Sequence, residues 1–477
     1  MVKGTPQGVS GACRAGTEPC RTGAVHGTGR DAAHAPHDAR TPLHQIVFAG
    51  TAAGLLLFFA AVFAIWALLP AQGETDPGKA YNYEYSSAKS ASVDFNTAGA
   101  AEDSMLLFGS SELATSSDTV AQVPANVFGS YDFGVNLNYV GEAFDQSLWH
   151  AIATGAYSGK TARKKVAIIV SPTWFADGGL DSDTFKSRFS YQLYRQFCAN
   201  EQISEESKEY AARRLQQQGV DDMTVCAGRR KTPRDVVNDC VLGAVDDLKL
   251  RYSLGEVRSR GIERASVEGG TRGQVKGAVS SGGAASSDTM ASAGAAASSE
   301  GAPSAAGGVA AGSGPVSTQE AAPLFDELRE QAVSDAEAAT TSNDWGIDDA
   351  FYRKNIEGRT ELLRDSHADE TYSDTREYDD LAFFLKVCRE TGLEPMVVIS
   401  PVHGEFFDLE GIDRSVRERC YERVRAICGQ AGVSVAGFSS REYERYFLHD
   451  IVHFGWTGWL DVEEALVGFA REGEGNG

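Results

Sequence analysis

The sequence predicts an α/β protein, a three-layer α/β/α sandwich around a mostly parallel sheet, preceded by one membrane-spanning helix. Three observations predict it. Short apolar runs rich in Val and Ile alternate with stretches of helical periodicity. Those runs are continuous, as in parallel strands covered on both faces. Ahead of them stands one uncharged apolar run, Ile46 to Leu69, long enough to cross a bilayer as a helix.

In chain order, residues 1–45 are rich in Gly, Ala, Thr and Arg without an apolar period, and read as a disordered cytoplasmic leader. The run 46–69 carries Phe58, Phe59 and Phe63, with Trp66 near its outer end and Pro70 closing it. A cleaved signal peptide is the alternative, with small residues at Ala71-Gln72-Gly73. A signal core, however, runs to only about 7–15 residues. Before the run, Lys3, Arg14, Arg21, Arg30 and Arg40 outnumber Glu18, Asp31 and Asp38; the rest of the chain holds 39 basic against 63 acidic residues. The positive flank stays cytoplasmic. The expected topology is single-pass, N-terminus inside, with the large C-terminal part outside the membrane.

Four strands are expected in that part: Met105 to Phe108, Val166 to Val170, Met396 to Ile399 and Val433 to Phe438. Arg376 to Gly392 reads as a helix with Leu381, Phe384, Leu385 and Cys388 on one face, ended by Gly392 and Pro395. Arg414 to Gly429 places Val416, Cys420, Val424 and Ile427 at helical spacing, and a last helix starts near Thr457. Between about 265 and 323 the chain is rich in Gly, Ala and Ser and has no aromatic residue, which reads as a flexible insertion. Leader, anchor and insertion removed, roughly 350 residues remain, one domain by size. The acidic stretches 199–222 and 361–380 read as solvated helix faces.

A net charge of −22 argues against a nucleic-acid surface. Cys13 and Cys20 lie in the leader and six cysteines beyond the anchor, whose connectivity spacing does not decide. No C-x-x-C, H-E-x-x-H or clustered carboxylate pattern points to a metal, and no cofactor is expected. Gly155 to Thr161 imitates a phosphate-binding loop but is one residue short and precedes a strand instead of following one.

Three expected strands deliver distinctive residues to their carboxyl ends, where open α/β sheets bind ligands: GSSE from Gly109, SPTWF from Ser171, and SPVHG from Ser400. Ser111 follows a strand and a glycine, so it is either an exposed nucleophile at a helix start or, with Ser110, a helix cap. In LHDIVHFGWTGW, Asp450 precedes His453 by three residues, which lets the carboxylate hold the imidazole on one face of a turn. A surface Asp with a capping His is the plainer alternative. Together the motifs give the Ser, Asp, His chain order of a triad without a G-x-S-x-G elbow. His403 reads equally as a site residue or a satisfied loop histidine, while His150 and His367 read as structural or solvated.

FGSSEL, GEAFDQSLWH, IIVSPTWF, ISPVHGEFFD and HDIVHFGWTGW, taken in order over 46–265 and 323–470, resemble the DltD family of the lipoteichoic-acid D-alanylation system. The resemblance implies an SGNH-hydrolase-like α/β fold at 80–470, interrupted by the insertion and tethered at the cell membrane behind one transmembrane helix. It implies Ser111 as nucleophile, Asp450 and His453 as its triad partners, and Gly141 as an oxyanion donor. Ser110, Trp174 and His403 fall in its oxyanion or substrate-binding positions. The implied partners are a D-alanyl carrier protein, a membrane O-acyltransferase and the teichoic-acid polymer. Thr173 and His403 stand where the family usually has Gln and Asn, and the insertion is not a usual family part. An extracytoplasmic esterase or thioesterase with the same triad, or a non-catalytic module that recruits the carrier, are the alternatives.

Overall fold

The computed structural model describes residues 43–68, 82–91, 104–229, 232–245, 247–248, 251–252, 316 and 318–472. Most of the expected leader and insertion lies outside these residues. Leu43–Leu68 is one helix of 26 residues, about 39 Å long. Its segment Val47–Ile65 is long and apolar enough to cross a membrane.

Five parallel strands form one sheet among the described residues: β1 Ser104–Phe108, β2 Asn136–Val140, β3 Lys165–Val170, β4 Glu394–Ile399 and β5 Ser434–Gly437, in the order β2-β1-β3-β4-β5. Phe108 sits in register with Val140 on one side and Ile168 on the other. The order reverses beside β1, which makes the carboxyl end of β1 the switch point of a doubly wound sheet.

Alternate residues of each strand serve two cores. Leu106, Phe108, Ile168 and Val397 face the helices Ser147–Tyr157, Tyr191–Ala199, Glu377–Glu390 and Arg414–Ala431. Met105, Leu107, Ile169 and Val398 face Pro124–Ser130, Thr318–Ala339 and Trp456–Arg471. The period of two, with both faces apolar, is what makes these strands read as unbroken runs.

Three features depart from expectation. β2, Asn-Leu-Asn-Tyr-Val, was not expected because its polar residues break the run, yet Asn136 and Asn138 are buried. This edge strand is covered by residues 82–91: Tyr83 Oη donates to Asn136 Oδ1 at 3.0 Å, and Asn82 Nδ2 to Ser104 Oγ at 3.1 Å. The helix Thr318–Ala339 begins inside the expected insertion and contains Pro323. It forms because Ala321, Phe325, Ala332 and Ala336 make a buried stripe against the second core. The acidic stretches 199–222 and 361–380 are not wholly solvated either. Arg214 from the first makes a bidentate pair with buried Asp380 from the second, Nη2–Oδ2 2.7 Å.

Among the described residues Cys198, Cys226, Cys240, Cys388, Cys420 and Cys428 are free thiols, the last three in the core. Glu463 is fully buried with neither carboxyl oxygen hydrogen-bonded, and burial drives its pKa well above the carboxylate range. Holding it protonated costs stability that grows as pH rises above its unfolded value of about 4.5. Glu463→Met is therefore expected to stabilise the domain by about 1–3 kcal/mol at neutral pH. The gain should shrink as pH falls toward ~4 and level off at what the buried, unbonded neutral carboxyl still costs. Thermal melts across pH test this, and a lower midpoint for the variant at neutral pH would refute it.

Candidate active site

β1 ends at Phe108, and Gly109 N donates to Val140 O, which clamps its exit to that of β2. The chain then tightens into the 3₁₀ turn Ser111–Ala114. Buried Glu112 accepts from Ser110 N at 2.8 Å and so fixes the turn that presents Ser111. Ser110 accepts from Phe144 N at 3.0 Å and donates to Glu142 O at 3.3 Å. Its hydroxyl therefore staples the β1 and β2 exit loops together.

Far along the chain, Leu448 and Phe454 form an antiparallel bridge that closes the loop carrying His449, Asp450 and His453. Gly458 lets the last helix press on this loop, since a Cβ there would lie 2.1 Å from Phe447 O. Asp450 Oδ1 accepts from the backbone N–H groups of Val452 (2.9 Å) and His453 (2.8 Å). Its Oδ2 lies 2.6 Å from His453 Nδ1, and His453 Nε2 lies 2.8 Å from Ser111 Oγ. A carboxylate only accepts, so Nδ1 carries the proton and Nε2 is the acceptor facing the serine hydroxyl. Burial alone would raise the Asp450 pKa, but the two neighbouring histidines and the hydrogen bonds overcome it and hold Asp450 ionised. Burial works against the His453 imidazolium too, yet the Asp450 charge outweighs it and lifts His453 above its ordinary 6.5.

Gly141 has φ +125°, and a Cβ there would lie 2.0 Å from Gly109 O and 2.9 Å from the His150 ring, so only glycine fits. Its N–H and that of Ser111 take no part in the hydrogen bonds holding the two loops, whereas Glu142, Ala143 and Phe144 each donate inward. The remaining expected residues lie elsewhere. Trp174 is buried and stacks on His150, ring centroids 5.7 Å apart, beneath the site rather than at its surface. His403 spends both ring nitrogens on the fold: Nδ1 accepts from Phe406 N at 3.4 Å and Nε2 donates to Trp345 O at 3.0 Å. Its own N–H donates to Ile451 O, so His403 braces the histidine loop. His150, expected to be structural, is fully buried, its pKa lowered to about 3 by that burial.

Sequence reasoning missed several parts of this arrangement. Tyr85, from the segment that follows the anchor, accepts from Ala143 N at 2.6 Å and steadies the Gly141 loop. Phe144 on that loop adopts φ +74°, a costly conformation for a large side chain, and is 38% exposed at the rim. His449 stacks on His453 at 5.9 Å, its Nε2 3.9 Å from Asp450, too far for a hydrogen bond. No local pattern marks Tyr85, Phe144 lies in the GEAFDQSLWH block without a signal of its strained backbone, and His449 adjoins the motif itself. His449, Asp450 and His453 offer ligand atoms within 4.8 Å of one another. In the row just described the His453 Nε2 lone pair faces the Ser111 hydroxyl, and Asp450 Oδ2 accepts from His453 Nδ1.

The structure is that of an α/β protein with a doubly wound parallel sheet, and Ser111, His453 and Asp450 form a hydrogen-bonded row at its switch point. The family model described as DltD protein matches residues 80–237 and 313–471, most of the chain. The chain belongs to the DltD family. It is 26% identical over 372 residues to Protein DltD of Bacillus subtilis (strain 168), covering 77% of this chain and 82% of that protein. It is 23% identical over 363 residues to Protein DltD of Staphylococcus aureus (strain NCTC 8325 / PS 47), covering 76% and 79%. Protein DltD of Lacticaseibacillus rhamnosus is 22% identical over 372 residues, covering 78% of each.

Proposed function

We propose that this DltD-family chain performs a serine-based acyl transfer in the D-alanylation of teichoic acid, held at the membrane by the helix Leu43–Leu68. The observation that carries this reading is the unbroken row Ser111 Oγ, His453 Nε2, His453 Nδ1, Asp450 Oδ2, with links of 2.8 and 2.6 Å. His453 Nε2 takes the Ser111 proton as Oγ attacks the carbonyl carbon of a D-alanyl thioester or ester. The N–H groups of Ser111 and Gly141 receive the oxyanion. The carbon–sulfur or carbon–oxygen bond then breaks, and His453 protonates the leaving group. In the second half a polymer hydroxyl gives its proton to His453 and attacks the Ser111 ester, and Ser111 recovers its hydrogen. A D-alanyl carrier protein and a membrane O-acyltransferase are the partners in this scheme, and the charge asymmetry about the anchor supports a domain outside the cell.

The test is direct. The full chain in lipid discs is mixed with a D-alanyl thioester, quenched in acid and digested. Mass spectrometry should find one alanyl ester on the peptide containing Ser111, labile to hydroxylamine and absent from Ser111→Ala. Envelope D-alanylation restored in cells by Ser111→Ala would overturn the reading. Added polyol phosphate that captures the alanyl group in preference to water separates a transferase from an esterase.

A further inference from the structure

The helix formed by residues 233–245 is inside out. Its face toward the domain carries Asp235, Asp239 and Gly243, spaced by four. Asp235 is consumed by a reciprocal cap, accepting from Thr232 Oγ1 at 2.6 Å. Asp239 accepts from Tyr191 Oη at 3.0 Å and pairs with Arg195. At Gly243 a Cβ would lie 2.3 Å from the same guanidinium. The opposite face presents Val237, Val241 and Val245, exposed by 60, 57 and 47%, with Cys240 and Ala244 between them. Spacings of three and four make this one continuous stripe. An ordinary surface helix turns its apolar stripe inward and its carboxylates outward.

Two observations say what covers it. In an exported part that is strongly acidic, the chain entering this helix is basic: Arg230, Lys231 and Arg234. An apolar stripe entered through basic residues, with Asp246 and Asp247 and then Lys249 and Arg251 after it, matches the interface of an anionic bilayer. The helix also packs on an element that is tied to the segment 82–91. Its Arg195 and Tyr191 belong to the helix Tyr191–Ala199, whose cap Ser190 donates to Ala91 O in the segment 82–91. Only residues 69–81 separate that segment from the membrane-spanning helix, a reach of at most about 50 Å.

We infer that the stripe Val237, Cys240, Val241, Ala244 and Val245 is a second membrane contact, seated on an anionic leaflet. It adds an interfacial attachment to the spanning helix and limits the domain's rotation about its tether. The inference rests on the membrane reading of Leu43–Leu68 and is independent of the chemistry at Ser111.

Cys240 lies on the stripe and reports on it. The full chain is placed in discs of phosphatidylglycerol and treated with a water-soluble maleimide, with labelling of Cys240 followed by peptide mass spectrometry. Labelling is expected to be about tenfold slower than in the variant carrying Val237→Gln, Val241→Gln and Val245→Gln. It should be faster in discs of phosphatidylcholine and should speed up with added salt. The charge reversal Lys231→Glu with Arg234→Glu, which leaves the stripe and the Asp239 pair untouched, should give an intermediate rate. Equal rates for the wild-type and triple-variant chains would overturn the inference. So would slow labelling that persists when lipid is replaced by an amphipathic polymer, which would mean that the chain's own residues 253–315 cover the stripe. Protection that arises only on adding another protein would assign the stripe to that protein and equally overturn it.

Discussion

Ser111→Ala is expected to slow alanyl transfer by at least about 10³-fold, His453→Ala by a similar factor, and the double variant by no more than either alone. The non-additivity follows because hydroxyl and imidazole act as one unit: without the acceptor at 2.8 Å the hydroxyl keeps its proton. The pH profile provides a second reading of the same row. Only neutral His453 can serve as base, and Asp450 lifts its pKa above 6.5. The wild-type rate should therefore rise through an acid limb with its midpoint above 6.5. Asp450→Ala removes that charge, so the limb should move to lower pH while the plateau falls. Single-turnover formation of the Ser111 ester from about pH 5 to 9 measures both. An acid limb that stays in place without Asp450 would sink the assignment of its charge.

The second large effect concerns stability. Arg417 is fully buried and binds Glu442 through Nε and Nη2 (both 3.1 Å), Asp408 at 2.9 Å and Tyr443 Oη at 2.9 Å. Glu442 in turn accepts from Tyr421 Oη, which receives Val402 N, and the Glu442 carbonyl accepts from Gly404 N at 2.7 Å. The network ties the loop after β4 to the segment leading into Asp450 and His453. Arg417→Met leaves Glu442 buried without its counter-charge and is expected to cost about 3–5 kcal/mol. Adding Glu442→Gln should return a good part of that loss. Denaturant midpoints decide it: a loss under about 1 kcal/mol for the single variant would show that the network is not needed.

Much of the fold was legible because β1, β3 and β4 are buried on both faces and announce it as unbroken apolar runs. β2 was not, because buried Asn136 and Asn138 interrupt its apolar run, and Asn136 is held by Tyr83 from a segment that local pattern does not connect to it. Asp380 failed for the same reason: its partner Arg214 lies 166 residues away. The candidate triad was legible through chain order and motif, although Ser111 and His453 are 342 residues apart. Trp174 and His403 were visible as motif residues, but not that their rings are already engaged in core stacking and a loop brace. A motif marks where the chain is constrained. Only the fold tells which constraints face a substrate.

The cover over β2 has a practical side. Tyr85 holds Ala143 and Tyr83 holds Asn136, so the stretch just after the anchor is part of the domain's working structure. A soluble version freed of its membrane helix keeps the Gly141 loop in shape only if the cut is made before Asn82. A cut after Ala91 would expose a strand edge and release the loop together, and an inactive or aggregating product would then reflect the choice of boundary rather than the chemistry.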